Sequence, residues 1–101
     1  MSKIKIFEIN GKFIQYQFWC EGCGYEHAFH PSVHSFNQDF ERPTLFPSFL
    51  QNSDPDRICH SWIRDGKIQY LNDCWHHLKG QTVDMTDIDK KLEERIKSQN
   101  P

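Results

Sequence analysis

A chain of 101 residues has room for one domain, and a domain of that size buries a modest share of its surface, so a bound metal or other cross-link would help it. Aromatic residues make up 14% of the chain and all hydrophobic residues 37%, which favours an aromatic-rich β core over a helical bundle. Twelve Lys and Arg against 14 Asp and Glu give a net charge of −2, which excludes a broad electrostatic affinity for nucleic-acid phosphates, and no run approaches the roughly 20 apolar residues of a membrane span.

The opening MSKIKIFEINGKF has no apolar segment of signal-peptide length, so the expected compartment is the cytoplasm, or the host cytoplasm if a phage encodes the chain. Lys3 to Glu8 alternates in polarity and Phe13 to Trp19 is a second β-rich run, joined through Asn10-Gly11 as a hairpin. The second strand delivers Cys20 into a C-x2-C knuckle with Cys23, flanked by Gly22 and Gly24 in a turn suited to metal-bound thiolates. Tyr25 to His30 reads as a further strand stopped by Pro31.

From Ser32 to Asn52, Pro43 and Pro47 argue for short extended pieces rather than a helix. Thr44 and Ser48 in this stretch are read as turn hydrogen-bonders rather than nucleophiles, since no G-x-S-x-G setting surrounds them. Gln51 to Arg57 reads as an exposed loop. Ile58 to Arg64 and Lys67 to Asn72 form the clearest hairpin, around Asp65-Gly66, followed by a turn over Asp73 to Gly80 and a short strand over Gln81 to Met85. Ile88, Leu92 and Ile96 recur every four residues, which predicts a helix over 86–99 with Thr86 as N-cap, Met85 as staple and the apolar stripe packed on the body. The whole, residues 1–101, is expected to be a single mainly β, antiparallel domain with that C-terminal helix.

Four cysteines in a reducing compartment read as a tetrahedral zinc site rather than two disulfides. Cys20 and Cys23 form the first half. Cys59 and Cys74 are the expected second half because thiolates are preferred structural zinc ligands, with His77 and then His60 in reserve. Cys74 with His77 as a C-x2-H knuckle, or a mixed pair from Cys59, His60 and His77, compete with that pair, and hairpin parity offers a test: a two-residue loop at Asp65-Gly66 puts Cys59 on the face of position 74, and a three-residue loop puts His60 there.

The segment CHSWIRDGKIQYLNDCWHHLKGQTV from Cys59 to Val83, with upstream WCEGCG and RPTLFPSF, resembles a family of small uncharacterised proteins found in phages and prophages. The resemblance spans Trp19 to Met85. It implies that Cys59-His60, Asp73, His77 and Gly80 recur while position 74 is not always cysteine, which raises His77 as a ligand. Trp75-His76 stands where relatives carry smaller residues.

These features lead to a small zinc-binding accessory protein that works by contact with a host or phage protein, with no catalytic residue assigned and a homodimer left open. A zinc-dependent hydrolase with an open site drawn from His27, His30, His60, His76, His77 and Asp73 ranks second. A zinc-ribbon nucleic-acid binder ranks third, with Tyr16, Phe18, Trp19 and Tyr25 stacking and Lys12, Arg42, Arg57, Arg64 and Lys67 neutralising phosphates, because the net charge opposes it.

Overall fold

A computed structural model describes residues 2–99. It is mainly β, with three antiparallel sheets and one helix, as the aromatic composition leads one to expect. Strands β1 (Ile4–Ile9), β2 (Lys12–Cys20) and β3 (Tyr25–Phe29) make the first sheet, in the order β1-β2-β3. The strand pair β4 (Ser35–Phe36) and β5 (Leu45–Phe46) lies between it in sequence and a four-stranded sheet of β6 (Phe49–Gln51), β7 (Cys59–Arg64), β8 (Lys67–Tyr70) and β9 (Thr82–Asp84), in chain order.

Both predicted hairpins close through two-residue loops. Asn10 and Gly11 have φ of 52° and 77°, and Ile9 pairs with Lys12; Asp65 and Gly66 have φ of 50° and 76°, and Arg64 pairs with Lys67. Left-handed conformation at both central residues is what a type I′ turn needs, and Asn-Gly and Asp-Gly supply it with least strain. In the first hairpin Phe7 pairs with Gln15 and Glu8 with Phe13, so Ile14 bulges without a partner.

Alternation along β7 is clean. Cys59, Ser61 and Ile63 are buried, whereas His60 and Trp62 are half-buried on the opposite face. The buried face meets the first sheet through rings: Phe18 of β2 lies 5.1 Å edge-on from Phe49 of β6, and His27 of β3 lies 5.1 Å from the same ring. Ile4, Phe29, Leu45, Ile68, Tyr70 and Met85 complete this shared core.

Helix α1 (Ile88–Gln99) starts later than the sequence suggests. Asp87 is its cap, its Oδ1 accepting the Lys90 N–H at 3.1 Å, while the Thr86 hydroxyl donates to Glu21 Oε1 at 3.1 Å. A carboxylate competes better than a hydroxyl for the free N–H groups of the first turn. Ile88 is fully buried and Leu92 half-buried, but Ile96 is 57% exposed, so the stripe docks only at its start. Ion pairs Lys5–Asp89, Lys91–Glu21 and Arg95–Glu26 hold the rest of the helix against the first sheet. Among the described residues no helix is long and apolar enough to cross a membrane.

The two turn glycines differ in their surroundings. A Cβ on Gly66 would meet Arg42 Cα and Glu41 O at 3.2 Å, whereas one on Gly11 would meet nothing within 4 Å. Both substitutions to Ala strain a positive φ, at about 1–3 kcal/mol. Urea unfolding should therefore show Gly66→Ala more destabilised than Gly11→Ala; equal midpoints would contradict this packing of the Arg42 backbone on the turn.

Candidate functional site

Two side-chain groups occupy opposite faces of β7. On the buried face, Cys20 at the end of β2, Cys23 in the following turn, Cys59 at the start of β7 and His76 after β8 bring their ligand atoms within 4.8 Å of one another. Cys20 Sγ lies 3.8 Å from Cys59 Sγ, which lies 3.6 Å from His76 Nε2. The knuckle folds by backbone bonds: the Gly24 N–H donates to Cys20 O at 2.9 Å and the Cys23 N–H to Cys20 Sγ at 3.4 Å. Further polar groups surround the sulfurs. Tyr70 Oη lies 3.2 Å from Cys20 Sγ, and Trp75 Nε1–H donates to Cys23 Sγ at 3.4 Å.

Crowding shows in the titration of the group. Hydrogen bonds from Cys20 and Cys59 drive the Cys23 thiol far below its ordinary value, and the same two neighbours of Cys59, Cys20 and Cys23, push that thiol far up. Burial opposes charge on His27, yet the neighbouring Cys20 and Cys23 sulfurs lift it to about 9. Burial lowers His76, which favours the neutral imidazole that a metal requires. Three mutually close sulfurs with a neutral imidazole are a donor set that could hold a metal ion, which would take up the negative charge the sulfurs cannot otherwise share. Gly22 makes the assembly sterically feasible. A Cβ there would stand 2.2–2.3 Å from three atoms of the His76 ring.

Three of the four expected cysteines thus converge, and the fourth position is taken by His76. Cys74 is buried but serves elsewhere: its S–H donates to His60 O at 3.0 Å and accepts the His60 N–H at 3.2 Å. The reason is that β8 stops at Tyr70. The two-residue loop holds, but beyond it the chain folds back on β7 through Leu71 N–H to His60 O and Trp75 N–H to Ile58 O, each at 2.9 Å. Strand parity does not extend through that turn, so position 74 meets backbone and position 76 reaches the sulfurs. His77 is exposed, and His60 lies on the other face of the sheet.

On that outer face stands the second group. Ser48, immediately before β6, has Oγ 3.0 Å from His60 Nε2, and His60 Nδ1 lies 3.1 Å from Asp73 Oδ2. A carboxylate can only accept, so the neutral tautomer that fits both contacts has its proton on Nδ1 and Nε2 free to accept the Ser48 hydroxyl. Ser48 and His60 are half-buried, and the Asp73 side chain is 55% exposed. His34 steadies the Ser48 backbone, its Nε2 lying 3.1 Å from Ser48 O. A hydroxyl within reach of an imidazole that a carboxylate orients is an arrangement that could serve as nucleophile, base and orienting acid.

The sequence reading has His60 and Asp73 as motif residues and sets Ser48 aside as a turn hydrogen-bonder rather than a nucleophile. Thr44 does act in a turn, its Oγ1 accepting the Asp65 N–H at 2.9 Å, but Ser48 does not share that role. The available signal was an acid and an imidazole in the same motif set with no nucleophile assigned to them.

If His76 is a ligand and Cys74 a backbone clamp, His76→Ala should lose metal on gel filtration while Cys74→Ala keeps about one ion per chain. Gly22→Ala should behave like His76→Ala. Metal analysis of the three proteins checks the assignment, and equal loss in Cys74→Ala overturns it.

One family model matches this chain: "Bacterial ubiquitination-like system serine protease (BubE)", over residues 3–71. Ser48 and His60 fall inside the matched span, and Asp73 follows it by two residues. Neither a curated protein nor a solved structure matches.

Proposed function

The chain belongs to the BubE family of bacterial ubiquitination-like system serine proteases, and from that membership we propose that it is a peptide-bond hydrolase whose nucleophile is Ser48. The observation that carries this reading is the continuous chain of hydrogen bonds Ser48–His60–Asp73. In this mechanism Ser48 Oγ attacks the scissile carbonyl carbon as His60 Nε2 takes its proton. The imidazolium so formed is stabilised by Asp73 and returns the proton to the leaving amine, releasing it and leaving an acyl group on Ser48. Water then attacks the acyl carbon, His60 again taking and returning the proton, and Ser48 is regenerated. The protein contact expected of an accessory protein becomes, in this reading, recognition of a polypeptide substrate.

The buried group is assigned to zinc, in a structural role. Tetrahedral bonds of the usual Zn–S and Zn–N lengths give edges of about 3.8 Å between two sulfurs and about 3.6 Å between sulfur and nitrogen. The Cys20–Cys59 and Cys59–His76 separations are 3.8 and 3.6 Å. Four protein ligands close such a site, so the metal takes no part in the hydrolysis. Cys20, Cys23, Cys59 and His76 would hold it, and an ion there would tie the knuckle, β7 and the turn before His76 together on the face opposite His60 and Asp73. Thiolate ligation fits a reducing compartment, and we assign the protein to the cytoplasm.

Two measurements test this function. A fluorophosphonate probe should label the wild-type protein at Ser48 and should not label Ser48→Ala or His60→Ala, with circular dichroism unchanged; labelling that survives Ser48→Ala overturns the assignment. Asp73→Asn should keep the fold and lower kcat by about 10³- to 10⁴-fold, since an amide no longer selects the Nδ1–H tautomer. Separately, stripping the metal with a chelator should lower the thermal midpoint and remove hydrolysis together, and readdition of zinc should restore both.

A further inference from the structure

Beside the nucleophile lies a cavity of about 300 Å³ between two sheet edges, the size of a small ligand pocket. One wall is β6, which begins one residue after Ser48; the other is the β3 edge at Ala28 and Phe29. Each strand ends its sheet, so along these edges alternate backbone N–H and C=O groups face away from the only ladder the strand joins. Apolar side chains remain open along it: Leu50 is 46% exposed, Val33 66% and the bulged Ile14 40%. Of its ten lining residues none is Asp, Glu, Lys or Arg.

We infer that this cleft binds the substrate as an added strand, seating an extended, uncharged and apolar segment on β6. The inference rests on Ser48 being the nucleophile. The occupant is a polypeptide because an unpaired strand edge offers main-chain donors and acceptors at strand spacing, which no small apolar molecule would use. Direction follows from the existing sheet. Every ladder among the described residues is antiparallel, and β6 runs away from Ser48, so an antiparallel substrate strand runs toward it. The residues in the cleft are then those on the acyl side of the scissile bond. Leu50 pairs with His60 and so shares the face of the catalytic imidazole, two residues or ~7 Å along the strand from Ser48. The side chain admitted to the cavity is therefore about two residues before the bond that is cut. His34 closes the near end, lining the cavity while its Nε2 holds the Ser48 carbonyl.

The test uses a fluorogenic tetrapeptide library with an aminocoumarin leaving group, read alongside fluorophosphonate labelling of Ser48, a small probe that does not fill the cleft. Wild-type protein should cleave peptides with Leu, Val or Ile in the cleft positions at kcat/KM about tenfold or more above their Lys and Glu counterparts. Val33→Asp, on an exposed surface residue, should reverse that order in favour of Lys, chiefly through KM, with labelling unchanged. Labelling of Ser48 without a preference for apolar peptides overturns the cleft alone. Unchanged selectivity in both Val33→Asp and Ala28→Glu overturns it equally. If the wild-type protein is not labelled at Ser48, the nucleophile assignment fails and the cleft proposal with it.

Discussion

Consecutive side chains of a pleated strand point to opposite faces, and β7 uses that rule to serve two sites at once. Cys59 points inward to the sulfurs of the knuckle, and His60, the next residue, points outward to Ser48. The turn from Leu71 to His76 meets both faces in turn, with Asp73 beside the imidazole and His76 beside the sulfurs. Neither group can be moved without moving the other. Cys74 ties the turn to the strand between them, through a reciprocal pair of bonds with the His60 backbone.

The buried group also explains how so small a chain holds two sheets together. Phe18, His27 and Phe49 join the sheets by ring contact, but the knuckle adds a second junction at one end of the core. Three thiols this close, on Cys20, Cys23 and Cys59, disfavour shared negative charge without a cation. A divalent ion removes that conflict by displacing protons, so its hold weakens toward acid pH, where protons compete for the same sulfurs. Trp75 contributes a donor to Cys23 and the Tyr70 hydroxyl lies beside Cys20, which lowers the cost of burying charge there.

Much of this was legible in the sequence because it was local. Asn10-Gly11 and Asp65-Gly66 named their own turns, and Cys20 with Cys23 named a knuckle, since each signal lies within a few residues. That His76, rather than Cys74 or its reserves His77 and His60, lies beside the three sulfurs was not legible, because strand parity stops carrying information once β8 ends at Tyr70. Ser48 was hidden for a different reason. It meets His60 from 12 residues away, and His60 meets Asp73 from 13, through pairings of β6 with β7 and of the turn with β7 that no local pattern encodes. At the helix, Asp87 displaced Thr86 as cap by a single position, a shift within the normal ambiguity of helix ends.

The Cys59-His60 adjacency constrains how descendants of this chain can differ in length. Inserting or deleting one residue inside β7 would turn over part of the strand, sending Cys59 and His60 to the wrong faces together. Change of side chain is far less restricted at Trp62, which lies half-buried on the outer face, than change of length is anywhere from Cys59 to Ile63. The exposed loop over 52–57 immediately upstream has no such restriction. Lineages should accordingly gain and lose residues there, while the strand beside it keeps its count.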